Sequence, residues 1–336
     1  MPRTLDGLLV DPIDGARPGR LHVAGELIAE VEERPGGPEE PVLMPGFIDL
    51  QIYDWEPARA QGVTGYLATV GTSARGVVER FLESLPDDPS CLGAHVEGPY
   101  LNPDVAGAQA AEHIRPVDTG ELEGWLATGR VRMVTLAPEL HAAFAAIERI
   151  AAAGAIPALG HTATNHRTAS LAIDEGARFA THVWNAMSGF RARAPGAIGA
   201  FLEDERMTLG LIADGRHLHP TTEALTVRAA GPRRIALTSD LVRPPQELPN
   251  GRLLGGDRCG AELVRRAAAR FGLAESATMA SLVPAELLGL TDRGRLAPGF
   301  RADLAVLDGA LEPLETLVAG STVWPAAGEG RVRRNV

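Results

Sequence analysis

The sequence predicts an α/β fold: a (β/α)8 barrel of the TIM type with a small β-sandwich built from both chain termini. Three observations predict it. Between Phe47 and Ser239, eight short apolar runs alternate with helix-like stretches rich in Ala, Arg and Glu, the texture of a parallel sheet with crossover helices. The first 44 residues lack that texture and read as short alternating strands with tight turns, and GRLAPGFRADLAVLD (294–308) resembles them. The 336 residues are many for an ordinary domain and suit one barrel plus an appendage.

In chain order, GLLVDP (7–12) and RLHVAGELIAEVEE (20–33), with a turn at Ala24–Gly25, are the opening strands. RPGGPEEP (34–41) is a Pro/Gly/Glu-rich linker. The barrel strands are FIDL (47–50), VTGYLAT (63–69), CLGAHV (91–96), VRMVTLA (131–137), AIPALG (155–160), RFATHV (178–183), TLGLIA (208–213) and RIALTS (234–239). YDWEPARAQGVTG leaves little room for a first helix. After the eighth run come helix-like LVRRAAARFG (263–272) and SATMASLVPAELLGL (276–290), before the chain returns to the β unit. The expected division is 1–44 with 297–336 for the small domain and 45–296 for the barrel, with GEGRVRRNV (328–336) peripheral.

Composition narrows the chemistry. Net charge is −11, and no basic run is long enough to follow a phosphate backbone, so nucleic acid is not an expected partner. All 32 basic residues are Arg. A lysine Schiff base, a phosphate-loop lysine and a lysine-bridged metal pair are excluded. No run reaches the roughly 18 apolar residues of a membrane span. Two cysteines and the absence of an apolar leader in MPRTLDGLLV point to a reduced cytoplasm. There is no GxSxG, GxxxxGK[ST] or post-strand GxGxxG motif.

In a (β/α)8 barrel the C-terminal strand ends converge on one mouth. Glu97 follows LGAHV, His161 follows PALG, His182 lies within FATHV and Asp240 follows ALTS, at the ends of strands three, five, six and eight. One carboxylate and two imidazoles form a three-ligand site that leaves a position for water on one divalent ion. Asp240 is then a non-ligand base that takes the proton of that water. Zn is the first expectation, and Fe, Co or Mn suit the same donors. His95 shares the Glu97 side of its strand by period-two alternation and is expected to pack rather than ligate.

The segments MPGFIDLQ (44–51), GAHVEGPYLNP (93–103), TLAPE (135–139), GHTAT (160–164), ATHVWNAM (180–187), GAIGA (196–200), IADGRHLHP (212–220), LTSD (237–240) and DRGRLAPGFRADLAVLD (292–308) carry a further signal. Through them the chain resembles the N-acetylglucosamine-6-phosphate deacetylases of the amidohydrolase superfamily, across nearly its whole length. The resemblance implies Glu97, His161 and His182 as metal ligands and Asp240 as acid/base, the four residues already chosen. It further implies that Asn185, Ala186 and His217 hold the substrate, His217 donating to the amide oxygen as it gains charge. Arg193 matches an arginine that meets the sugar phosphate across a homodimer interface. His219 is expected in a loop or at a helix start before Pro220.

The chain departs from the pattern in places. Many amidohydrolases carry His-x-His after the first strand, where this chain reads Gln51-Ile52-Tyr53; with no Lys either, one metal ion is expected, with Gln51 near its water. The family's GAH near the substrate is Gly107-Ala108-Gln109 here, so Gln109 inherits a substrate position without a histidine's charge. The region after Asp240 is shortened. The function implied is metal-dependent deacetylation of N-acetylglucosamine 6-phosphate, a small-molecule amino sugar. Two alternatives stay open: another N-acyl amino sugar, or a catalytically silent sugar-phosphate-binding relative.

Overall fold

Residues 2–244, 246–247 and 253–325 are described by a computed structural model of the chain. Strands β1 (Arg3–Asp11), β2 (Gly15–Ala24), β3 (Leu27–Glu33) and β4 (Val42–Pro45) come first. They are followed by β5 (Phe47–Ile52), β6 (Val63–Val70), β7 (Cys91–Glu97), β8 (Val131–Leu136), β9 (Ile156–Leu159), β10 (Phe179–Ala180), β11 (Thr208–Leu211) and β12 (Ile235–Leu237). Each of these eight overlaps one predicted run, and they lie side by side in chain order. Their residues are almost all buried, as strands covered on both faces must be. The first and last strands meet where Asp240 N–H donates to Gln51 O (2.8 Å) and Tyr53 N–H to Leu241 O (3.1 Å). The result is a nearly closed (β/α)8 barrel.

Helices α1 (Val77–Ser84), α2 (Thr119–Ala127), α3 (Ala143–Ala152), α4 (His166–Asp174), α5 (Gly196–Glu203) and α6 (Pro220–Ala230) connect the barrel strands. The first crossover holds only a 3-10 turn, Glu56–Gln61, as its length predicted. His219 caps α6, its Nδ1 accepting from Thr221 N–H at 3.1 Å. One strand boundary needs correction: β10 ends at Ala180, so His182 lies two residues beyond it rather than within it. The backbone turns left-handed at His182 (φ +32°), which takes that residue out of the extended ladder.

Beyond the barrel come a short antiparallel pair, β13 (Gln246–Glu247) with β14 (Leu253–Leu254), and helices α7 (Ala261–Phe271), α8 (Leu273–Ala277) and α9 (Val283–Leu287). Part of the loop after Asp240, and GEGRVRRNV, lie outside the described residues. Strands β15 (Leu304–Leu307), β16 (Pro313–Val318) and β17 (Ser321–Trp324) join the opening strands in one sheet, ordered β17-β16-β15-β4-β1-β2-β3. The two termini thus build the expected β unit as a single curled sheet. Ile28 N–H donates to Phe300 O (2.8 Å) and Ala302 N–H to Glu26 O (2.7 Å), bringing its edge back around Leu9, Leu21, Leu43, Leu304 and Leu317. Packing groups 2–49, 54–65 and 258–325 into one unit and 50–53 with 66–257 into another. No helix among the described residues is long and apolar enough to cross a membrane.

Asp11 organises the turn after β1. Its buried carboxylate accepts from Ile13 N–H (2.9 Å), Asp14 N–H (3.0 Å), Leu296 N–H (2.7 Å) and Arg295 (2.9 Å). Burial opposes its ionisation most strongly, yet Arg295 and the backbone donors hold its pKa below the usual aspartate value. Asp11→Ala strands those donors and is expected to lower stability by roughly 2–4 kcal/mol in urea unfolding near pH 7. A depressed carboxyl stabilises the fold above the unfolded pKa of about 3.9 and loses that contribution as pH falls through its folded value. The gap between wild type and variant therefore narrows in acid; a gap independent of pH contradicts the assignment.

Candidate active site

The sequence places Glu97, His161 and His182 at strand ends, and the fold brings them together. Glu97 Oε1 lies 3.1 Å from His161 Nε2 and 2.9 Å from His182 Nε2, and the two ring nitrogens are 3.1 Å apart. All three side chains are buried, Glu97 to 1% exposure. Burial works most strongly against ionising Glu97, but the hydrogen bonds and charges of both histidines hold its carboxyl well below the usual range. His161, His182 and Asp240 all sit at positive φ (+47°, +32° and +50°). Such backbone costs about 1–3 kcal/mol per residue and concentrates at functional sites.

The donor set fits a divalent ion. His161 Nδ1 lies 3.2 Å from the Val105 carbonyl, which can only accept, so Nδ1 carries the proton. With Nδ1 protonated, Nε2 is the nitrogen able to give its lone pair to a cation, beside a Glu97 oxygen that can do the same. Glu97, His161 and His182 would hold it. The one other grouping of this kind among the described residues, His22, Glu30 and Glu32, is a half-exposed cross-strand cluster.

A polar chain underlies the cluster. His95 Nδ1–H donates to Leu50 O (3.0 Å), its Nε2 accepts from Thr135 Oγ1 (2.7 Å), and Thr181 Oγ1 lies 2.7 Å from Thr135 Oγ1. Burial lowers the His95 pKa to about 4, which keeps the ring neutral, and because both of its nitrogens are engaged by Leu50 and Thr135 it packs rather than ligates. Asp240 accepts from Gln51 Nε2 at 3.0 Å, which fixes the carboxylate at the seam between the first and last strands.

The remaining expected residues are spread around the strand ends. His217 Nδ1 is 2.8 Å from Asp214 Oδ2, while Asp214 Oδ1 accepts from Arg216 and His217 N–H. Burial raises the Asp214 pKa most, but His217 and these donors bring it below the usual value. Ala186 (φ +51°) presents left-handed backbone, and Asn185 Nδ2 donates to His182 O (3.2 Å). Gln109 is engaged inside the protein: its Oε1 accepts from Thr72 N–H (2.7 Å) and its Nε2 lies 3.4 Å from Tyr53 Oη. Arg193 is exposed in the turn closed by Arg191 and Ala194.

Residue typing alone missed three groups. Tyr53 donates its hydroxyl to Glu97 Oε2. Burial, then the Glu97 and Asp240 charges, push its phenol well above the usual value, which keeps it a donor. Glu139 accepts from Asn102 Nδ2 (2.8 Å), Ala163 N–H (2.8 Å) and Thr162 Oγ1 (2.5 Å), tying the loops after β7 and β9 together beside His161. Asp214 sits three residues before its histidine. Each is a carboxylate or hydroxyl just beyond the end of a barrel strand.

The barrel and its strand-end cluster fit a hydrolase that acts on amide bonds, the class to which the family match and the relatives assign the chain. Residues 56–323 match the model of the amidohydrolase family, and the chain belongs to that family. It is 31% identical to N-acetylglucosamine-6-phosphate deacetylase of Bos taurus, over 91% of this chain and 88% of that protein. It is 30% identical to N-acetylgalactosamine-6-phosphate deacetylase of Escherichia coli O157:H7, over 90% and 93%. A Mycobacterium smegmatis N-acetyl-D-glucosamine-6-phosphate deacetylase variant, solved in complex with N-acetyl-D-glucosamine-6-phosphate, superposes with a TM-score of 0.83 at 29% identity, covering 96% of this chain and 99% of that one.

Proposed function

We propose that the protein removes the acetyl group of N-acetylglucosamine 6-phosphate, yielding acetate and glucosamine 6-phosphate. One observation carries the reading: the buried convergence of Glu97 Oε1 with the Nε2 atoms of His161 and His182, on a barrel whose eighth strand ends at Leu237, three residues before Asp240. The 45–296 segment, which contains every proposed site residue, is the catalytic domain. Glu97, His161 and His182 would hold one divalent ion, Zn first among the candidates, and when bound it would supply an acidified water and polarise the amide. Asp240, oriented by Gln51, takes the attacking water's proton and returns it to the amide nitrogen so that the amine can leave. His217, braced by Asp214, donates from Nε2 to the carbonyl oxygen as charge develops there. Asn185 and the Ala186 backbone hold the sugar, and Gln109 shapes the rim beside Tyr53. A silent binder has no use for this combination, whereas the galactosamine-type relative supports a second reading, the same reaction on another N-acyl amino sugar. A sugar-phosphate substrate belongs to the cytoplasm, the proposed location.

Arg193 grips the phosphate bidentately in the pocket of the other protomer of a homodimer. Arg193→Ala is expected to raise KM for the 6-phosphate about 10- to 100-fold and leave unphosphorylated N-acetylglucosamine nearly unaffected. Steady-state kinetics on both sugars checks this. Equal wild-type efficiencies on the two reject the phosphate role, and a monomer in sedimentation rejects the shared pocket.

A further inference from the structure

We propose that Tyr53 is a positioning residue that holds Glu97 to one metal ion through one oxygen. The proposal rests on the reading of Glu97, His161 and His182 as the metal centre. A carboxylate offers two oxygens, and it can chelate one ion with both or bridge two ions with one each. Here the oxygens are divided. Oε1 faces His161 Nε2 (3.1 Å) and His182 Nε2 (2.9 Å), and Oε2 accepts the Tyr53 hydroxyl.

The hydroxyl is itself held. Gln109 Nε2 lies 3.4 Å from Tyr53 Oη, and Gln109 Oε1 is anchored by Thr72 N–H at 2.7 Å. The line Thr72, Gln109, Tyr53, Glu97 therefore aims one donor at the outer oxygen. The sequence signal was a negative one, His-x-His replaced by Gln51-Ile52-Tyr53. The structure adds a positive role: the tyrosine occupies the oxygen that a second ion needs. With Oε2 committed, Glu97 binds through Oε1 alone and leaves coordination space for water and substrate.

The test uses the full chain stripped of metal and reloaded with Zn²⁺ or Co²⁺ alone. Tyr53→Phe keeps the ring and deletes the hydroxyl. Competition with a chromophoric chelator is expected to give about 10- to 100-fold weaker Zn²⁺ binding than wild type. The visible spectrum of the Co²⁺ form is expected to weaken, because Glu97 is freed to bind through both oxygens and raise the coordination number. Melting without metal checks that the variant folds. His182→Ala separates the two levels of the argument. If His182→Ala binds Zn²⁺ as tightly as wild type, the metal centre is wrong and the Tyr53 role falls with it. If His182→Ala loses the ion while Tyr53→Phe binds it within about twofold and keeps the wild-type Co²⁺ spectrum, the Tyr53 role alone is overturned.

Discussion

Asp240→Asn is expected to keep the fold and the bound ion while lowering kcat by about 10²- to 10⁴-fold, the range for losing a general acid–base. Asn preserves the shape of the side chain and can still meet Gln51, whose amide lies 3.0 Å from Asp240 Oδ1. What it lacks is a site that accepts the proton of the attacking water and later releases it to the departing nitrogen. The positive φ of Asp240 (+50°) is a further reason to choose Asn, one of the few side chains that tolerates left-handed backbone. Acetate release gives kcat, elemental analysis gives the ion content, and circular dichroism gives the fold. Turnover near wild type with full ion content contradicts the role.

His182→Ala is expected to lose ion and activity together. The change removes one of three donors, leaving Glu97 and His161 3.1 Å apart with no third partner to complete the set. Activity is expected to fall by roughly 10³-fold or more, corresponding to several kcal/mol of barrier. Added Zn²⁺ at high concentration should restore part of it if the fold is intact. A variant that retains both ion and turnover contradicts the assignment of His182.

The eight barrel strands were legible because strands buried on both faces leave continuous apolar runs, and the residues that end those runs are where barrel chemistry gathers. Glu97, His161 and His182 could be chosen on that ground alone. The end of the sixth strand was not legible, since nothing in RFATHV marks the left-handed turn at His182. The joining of both termini in one small β unit was legible, but its strand order was not, since that depends on β4 pairing with β15, a contact between distant parts of the chain. Tyr53 read as a missing ligand because its value lies in the oxygen it meets, 44 positions further along the chain. Gln109 read as a substrate residue, and only the placement of Thr72 and Tyr53 shows where its amide is held.

The most direct test of the central claim is acetate release from N-acetylglucosamine 6-phosphate by the wild-type chain, measured as isolated, after exhaustive chelation and after return of about one equivalent of Zn²⁺ per chain. The account predicts turnover that disappears with the ion and returns with it, one acetate per glucosamine 6-phosphate formed. Undiminished turnover in the metal-free protein, or no acetate from a chain that holds its full equivalent of ion, would contradict it.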